Sequence, residues 1–144
     1  FKTGDLGEFD SEGFLYYHGR KKDVIVTDSG LNIYPGDIEA VLNNMPGVKE
    51  SCVVGLRKDR GETVHAALLL EDYNRNPDNT IRAANKKLEK SQRIQDFSIW
   101  WEDDFPRTST MKIKKDEVLQ RIGQLAERRY RYIPRCSAKV AKAA

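Results

Sequence analysis

Residues 64–70 read VHAALLL. A continuous apolar run of this length between polar flanks suits a strand at the centre of a sheet, covered on both faces. The rest of the chain must therefore supply neighbouring strands and helices to bury it. Val48–Leu56 is rich in valine and reads as one such strand, with Arg57–Gly61 as a charged turn between the two. Phe97–Trp101 is aromatic and strand-like. Trp100 and Trp101, at strand spacing, should point to opposite faces, one into the core and the other as a lid over a crevice.

Three helices are expected. Pro35 suits a first helical turn, where its missing N–H would be unpaired anyway. Asp37 and Glu39 near that end complement the helix dipole. Ile38, Val41, Leu42 and Met45 recur at amphipathic spacing until Asn43–Asn44 and Pro46–Gly47 stop the helix. Thr80–Lys90 places Ile81, Ala84 and Leu88 on one face, with Asn79 or Thr80 as cap after a polar loop, Glu71–Asn79. Lys114–Leu125 repeats the pattern with Val118, Leu119, Ile122 and Leu125. Two hairpins precede these elements. In the first, Glu8–Phe9 and Phe14–Tyr17 flank Asp10–Gly13, and Gly19 marks a break. In the second, Val24–Val26 and Leu31–Ile33 flank Asp28–Gly30. The fold class is α+β: a small mixed β-sheet with helices packed on it, preceded by a β-hairpin.

Composition narrows the function. The chain has 144 residues, 39% hydrophobic and 33% charged, and no run long enough to span a bilayer. Cys52 and Cys136 are its only cysteines and His18 and His65 its only histidines, so no zinc pattern can be drawn and no metal ligands are expected. Both histidines suit structural roles. Reduced thiols and a cytoplasmic location follow as expectations. From Arg121 onward seven cations face one acid, which leaves 18 cations against 21 acids in residues 1–120. A basic tail carrying Tyr130 and Tyr132 could touch nucleic acid or an anionic membrane, but a solvated tail is the commoner outcome. No Ser–His–Asp grouping, P-loop or dinucleotide glycine fingerprint is present.

Three clusters could carry chemistry. Thr3–Gly4–Asp5 offers a carboxylate in a glycine turn, able to accept bonds from vicinal hydroxyls. Gly19–Arg20–Lys21–Lys22–Asp23 offers a guanidinium fork for a sugar or phosphate. Pro106–Ile113 (PRTSTMKI) places Lys112 after a hydroxyl-rich loop, where its ammonium could reach a phosphate or carboxylate oxygen. Each alone is more often surface or loop.

Taken together and in this order, the clusters resemble the C-terminal portion of the adenylate-forming superfamily: acyl-CoA synthetases, peptide-synthetase adenylation domains and luciferases. The resemblance covers about residues 1–122. FKTGDLGEFDSEGFLYYHGRKKDVIVTDSGLNIYPGDIEAVL is similar to the family's ribose-binding and hinge region, and FPRTSTMKIKK to its terminal catalytic-lysine motif. The wording GRKKDVIV with NIYP is closest to long-chain fatty-acid–CoA ligases.

The resemblance implies residue roles. Asp5 would bind the ribose hydroxyls of ATP or AMP, and Arg20 would reach the same nucleotide. Lys22 takes the hinge position, Gly30 the loop that lines the CoA pantetheine tunnel, and Lys112 the lysine that contacts carboxylate and α-phosphate. Residues 1–21 would end a large N-terminal domain and approach the hinge. Residues 22–122 would form the mobile C-terminal domain, and residues 123–144 a basic tail with no family counterpart. The function implied is AMP-forming activation of a carboxylate, a fatty acid, by Mg-ATP, followed by transfer to CoA. The large domain would be absent and the isolated chain inactive. An acceptor thiol on a carrier protein is an alternative, as is a nucleic-acid or membrane module acting through the tail. Nucleic acid is not an expected partner, and membrane contact is the weaker reading.

Two residues depart from the family pattern. Met111 stands where relatives usually have glycine before the lysine, and Pro–Gly–Asp follows Tyr34 where many have Pro–x–Glu, with Asp37 keeping the acid. Residues 1–19, deprived of the large domain, are expected to be poorly ordered or packed differently from their setting in a complete enzyme, with Phe9 and Phe14 as the indicators.

Overall fold

The computed structural model describes residues 3–129, with side chains described through residue 124. The basic tail beyond Arg129 and the side chain of Leu125 therefore lie outside the described residues. The apolar run forms the middle strand of a three-stranded sheet. β5 (Val48–Lys58) pairs antiparallel with β6 (Gly61–Leu70), and β6 pairs parallel with β7 (Asp96–Ile99). Every residue from Val64 to Leu70 is buried.

The two-residue period of β6 divides the core. Val64, Ala66, Leu68 and Leu70 join one buried cluster with Ile38 and Leu42 of α1 (Pro35–Asn43) and Ile81 and Ala84 of α2 (Pro77–Lys87). Ala67 and Leu69 join a second with Cys52, Val54, Trp100, Phe105, and Val118 and Ile122 of α3 (Lys115–Arg129). Helices thus cover both faces, as the run demanded. A register shift between Val48 and Glu50 keeps Val48 in the first cluster alongside Val53, although the two differ by an odd number of residues. Fully buried side chains such as Leu42, Ile38 and Leu68 each contribute about 1.5–3 kcal/mol of transfer free energy.

Several boundaries differ from expectation. α2 begins at Pro77, not Thr80, because Asn76 caps it: its side chain accepts from the Asp78 N–H at 2.9 Å, and Pro77 occupies the first turn. The turn between β5 and β6 shrinks to Asp59–Arg60, since cross-strand pairing continues to Lys58 and Gly61. α3 begins at Lys115, and Leu119 is exposed while Val118 and Ile122 are buried. β7 stops at Ile99. Trp100 is buried and donates its indole N–H to the Asp104 carbonyl at 2.9 Å, while exposed Trp101 stacks on Tyr73 with ring centroids 5.0 Å apart.

Both expected hairpins are present: β1 (Asp5–Phe9) with β2 (Leu15–Arg20), and β3 (Ile25–Val26) with β4 (Asn32–Ile33). Gly19 does not break β2, which continues to Arg20. Leu6 pairs with Gly19 and Gly7 with Tyr17, so His18 is the extra residue of a bulge. The bulge aims its ring at Tyr34, stacked at 5.1 Å. The hairpin is formed, yet Phe9 is 69% and Phe14 63% exposed, so the burial that would mark a complete packing partner is missing. His65 is buried in the sheet, with Nε2 2.8 Å from the Ser98 hydroxyl, in keeping with a structural role.

Candidate active site

Lys112 sits on a tight loop between Arg107 and Ile113, which form an antiparallel bridge. The Met111 N–H donates to the Thr108 carbonyl at 2.9 Å, and the Thr108 N–H donates to the Lys112 carbonyl at 2.8 Å. The Lys112 N–H donates to Thr108 Oγ1 at 3.2 Å, and that hydroxyl meets Thr110 Oγ1 at 2.9 Å. Met111 adopts φ +66°, the only positive φ among the described non-glycine residues. This is a turn followed by a left-handed residue, a standard way to close a short hairpin.

The Gly30 loop has the same build. The Gly30 N–H donates to the Thr27 carbonyl at 2.9 Å and the Thr27 N–H to the Leu31 carbonyl at 3.0 Å. The Leu31 N–H donates to Thr27 Oγ1 at 3.1 Å, and that hydroxyl meets Ser29 Oγ at 2.9 Å. Gly30 takes φ +79° at the position equivalent to Met111. TDSGL and TSTMK are one backbone motif written in two sequences. Gly61 holds the first of these loops against the sheet, since a Cβ there would lie 2.5 Å from the Asp28 backbone nitrogen.

Arg20, Lys22 and Lys112 line one open cleft of about 990 Å³ between the end of β2, the start of α1 and the loop leading into α3. Asp5 does not line it, but it pairs with Arg20 in the strand register and its carboxylate lies 4.0 Å from Arg20 Nε. Lys22 occupies a single 3-10 turn, Lys21–Asp23, and its ammonium is 3.7 Å from the Asp116 carboxylate at the start of α3. The Gly30 loop is elsewhere: Thr27, Asp28, Ser29 and Leu31 line a separate pocket of about 420 Å³ that shares no lining residue with the first. Three of the five expected site residues thus line one cleft, Asp5 adjoins it through Arg20, and the Gly30 loop stands apart from it.

The sequence reading missed two ionic ties beside this cleft. Lys115 Nζ donates to Glu39 Oε1 at 2.6 Å and to the Val53 carbonyl at 3.2 Å, and the same Glu39 oxygen accepts from the Val53 N–H at 2.9 Å. Glu39 therefore serves β5 and α3, not the dipole of its own helix. Arg107 donates to Asp104, to Glu50 and to the Met111 carbonyl. The bond to Asp104, with Glu50 beside it, raises the Arg107 pKa, and the same Arg107 bond holds the Asp104 carboxyl below its usual range. No sequence spacing links Glu39 to Lys115 or Glu50 to Arg107; the fold joins them. Burial pushes the Cys52 thiol up to about 12, which makes it inert. Among the described residues, no group of three or more His, Cys, Asp or Glu is placed to hold a metal ion, and no helix is long and apolar enough to cross a membrane.

The profile of the AMP-binding enzyme C-terminal domain matches residues 37–112. The chain belongs to this family. The chain is 37% identical over 121 residues to the long-chain-fatty-acid–CoA ligase FadD13 of Mycobacterium tuberculosis, covering 80% of this chain and 22% of that protein. It is 39% identical over 118 residues to the 2-succinylbenzoate–CoA ligase of Bacillus pumilus, covering 81% and 24%. O-succinylbenzoate CoA synthetase from Bacillus subtilis, solved with ATP and magnesium, superposes with a TM-score of 0.70 at 36% identity, over 81% of this chain and 23% of that one. The same synthetase has been solved with its acyl-adenylate intermediate, and superposes with a TM-score of 0.73 at 35% identity. The chain thus spans about a quarter of the length of the relatives it matches, and the α+β architecture is theirs.

Proposed function

We propose that this chain is the mobile C-terminal domain of an ATP-dependent, AMP-forming acyl-CoA synthetase, and that its carboxylic substrate is a fatty acid. The observation that carries the reading is the shared cleft of Arg20, Lys22 and Lys112, with Asp5 adjoining Arg20. The lining sets six cations beside six acids, and the exposed Lys112 among them suits stabilisation of an anion that meets a carboxylate. The likeness to a fatty-acid ligase supports the substrate class.

In the first half-reaction a carboxylate oxygen attacks the α-phosphorus of ATP. The bond to the bridging oxygen breaks and pyrophosphate leaves. Negative charge concentrates where the two anions meet, and the Lys112 ammonium stabilises it there. Asp5 accepts hydrogen bonds from the ribose hydroxyls, and Arg20 donates to the same nucleotide. Magnesium would enter with ATP as part of the substrate. In the second half-reaction the CoA thiol attacks the acyl carbonyl and AMP leaves.

The two loops serve these steps in turn. Lys112 lines one cleft and the neighbours of Gly30 line another, which supports separate presentation of the two loops to the reacting carbon. Rotation about Lys22 exchanges them, and the bare backbone at Gly30 leaves room for a thiol arm. The domain division follows: residues 1–21 belong to the large domain, 22–122 form the moving part and 123–144 a basic tail. The exposed Phe9, Phe14, Leu15, Tyr16 and Tyr17 suit a hairpin that the large domain covers.

Lys112→Ala in the full-length protein carrying this chain tests the assignment. Adenylate formation, followed by pyrophosphate exchange, is expected to fall by about 10²–10³-fold. Thioester formation from supplied acyl-adenylate should persist. An equal loss in both half-reactions overturns the role of Lys112.

A further inference from the structure

We infer that Arg107 is a positioning residue for Lys112, acting through the Met111 carbonyl. The inference rests on the adenylation reading above. Lys112 has a long, flexible side chain, so the region its ammonium can reach is set by the backbone that carries it. The bonds within the loop, from Thr108 to Met111 and Lys112, define its shape. They do not tie it to the rest of the domain.

Ile113 packs the C-terminal end of the loop on the second buried cluster, and Arg107 supplies a polar tie at the Met111 carbonyl. Its Nη1 donates at 3.0 Å to the Met111 carbonyl, in the peptide joining Met111 to Lys112. Its Nη2 donates to Glu50 of β5, 57 positions away in sequence. Nε contacts both Asp104 carboxylate oxygens, at 3.1 and 2.9 Å, and Nη2 is 2.9 Å from one of them. One planar group therefore joins the peptide before Lys112 to the central sheet and to the turn that packs on α3.

Two features separate this from a second nucleotide ligand. All three guanidinium nitrogens are engaged within the protein, and two carboxylates balance the charge, so little is left for a phosphate. The side chain is 20% exposed, whereas Lys112 is exposed. The otherwise matching Gly30 loop has Val26 at the position of Arg107, and that loop presents backbone, not a reacting side chain. A lysine at 107 could not replace the arginine, because one nitrogen cannot span three acceptors on three segments.

The test uses the full-length protein with Arg107→Lys, Glu50→Gln, Lys112→Ala and the double variant Arg107→Lys/Lys112→Ala. Arg107→Lys is expected to lower kcat for adenylate formation by about 10–10²-fold, the scale of a misplacement near 1 Å. KM for ATP should stay within about twofold, and thioester formation from supplied acyl-adenylate should be unchanged. Glu50→Gln, which keeps the shape and removes a charge, should shift adenylation in the same direction by less. In the Lys112→Ala background, Arg107→Lys should have no further effect, because a residue that acts only through Lys112 has nothing left to position. A rise in KM with kcat retained would make Arg107 a nucleotide ligand. Equal loss in both half-reactions, or full additivity with Lys112→Ala, would make it structural. Either result overturns the proposal, as does unaltered adenylation. If Lys112→Ala itself spares adenylation, the underlying reading fails; if Lys112→Ala is selective and Arg107→Lys is silent, only the positioning role fails.

Discussion

Met111 shows how one residue can be read from two sides. The family pattern places glycine before the lysine, and the loop shows why: φ at this position is +66°, where a side chain costs about 1–2 kcal/mol. The Met111 side chain is 68% exposed, so little packing offsets that strain. Met111→Gly is therefore expected to stabilise the domain by about 0.5–1 kcal/mol, because relief of strain exceeds the extra freedom of glycine in the unfolded chain. Gly30→Ala, at the equivalent turn position, should destabilise by about 1 kcal/mol. Urea denaturation of the two variants checks both, and a destabilised Met111→Gly would show that the left-handed conformation is not strained. The departure at Met111 was visible in the sequence, but its meaning was not. The structure shows a hydrogen-bonded turn in which a methionine is held in a glycine conformation.

At the level of elements, helices and strands were legible wherever the apolar pattern was strong, as in the continuous run of β6 and in the Ile38–Leu42 face of α1. Misplaced boundaries trace to local chemistry that periodicity does not register. The Asn76 cap draws α2 back to Pro77, and the bulge at His18 carries β2 through Gly19. The join between α1, β5 and α3 was not legible at all. Glu39 accepts from the Val53 N–H and from Lys115, and both carboxylate and ammonium side chains are only 20% exposed. Glu39→Ala would leave a strand N–H and a half-buried ammonium without this partner. A loss of about 2–3 kcal/mol is expected, seen as a lower urea midpoint at unchanged slope. Glu39→Gln keeps an acceptor for Val53 and should lose less. If Glu39→Ala were neutral, α3 would owe its position to other contacts, among them the burial of Val118 and Ile122. Because Lys115 follows the Lys112 loop by three residues, this tie also fixes where the loop meets the helix.

On the scale of the whole molecule, two parts of unequal solidity are joined at residues 21–23. The sheet and its helices share two buried clusters, whereas the β1–β2 hairpin presents most of its large apolar side chains to solvent. A two-stranded hairpin without a packed face is marginal in water. Hydrogen exchange of this chain should find the amides of β1 and β2 exchanging at least ~10²-fold faster than those of Ala66–Leu69, with protection of the hairpin rising in the full-length protein. Equal protection in both regions would mean that the hairpin needs no further partner. The sequence by itself determined the α+β class, the central strand, the amphipathic helices and the motifs at Asp5, Arg20 and Lys112, because these depend on residue type and short spacing. Only the tertiary structure decided that Arg20, Lys22 and Lys112 share a cleft while the Gly30 loop does not. Only it shows that Glu39 meets Lys115 and that Arg107 bridges Glu50 to the Met111 carbonyl. Those relations join residues dozens of positions apart, and no local propensity encodes them: they arise when hydrophobic burial of one central strand forces the elements on its two faces into register.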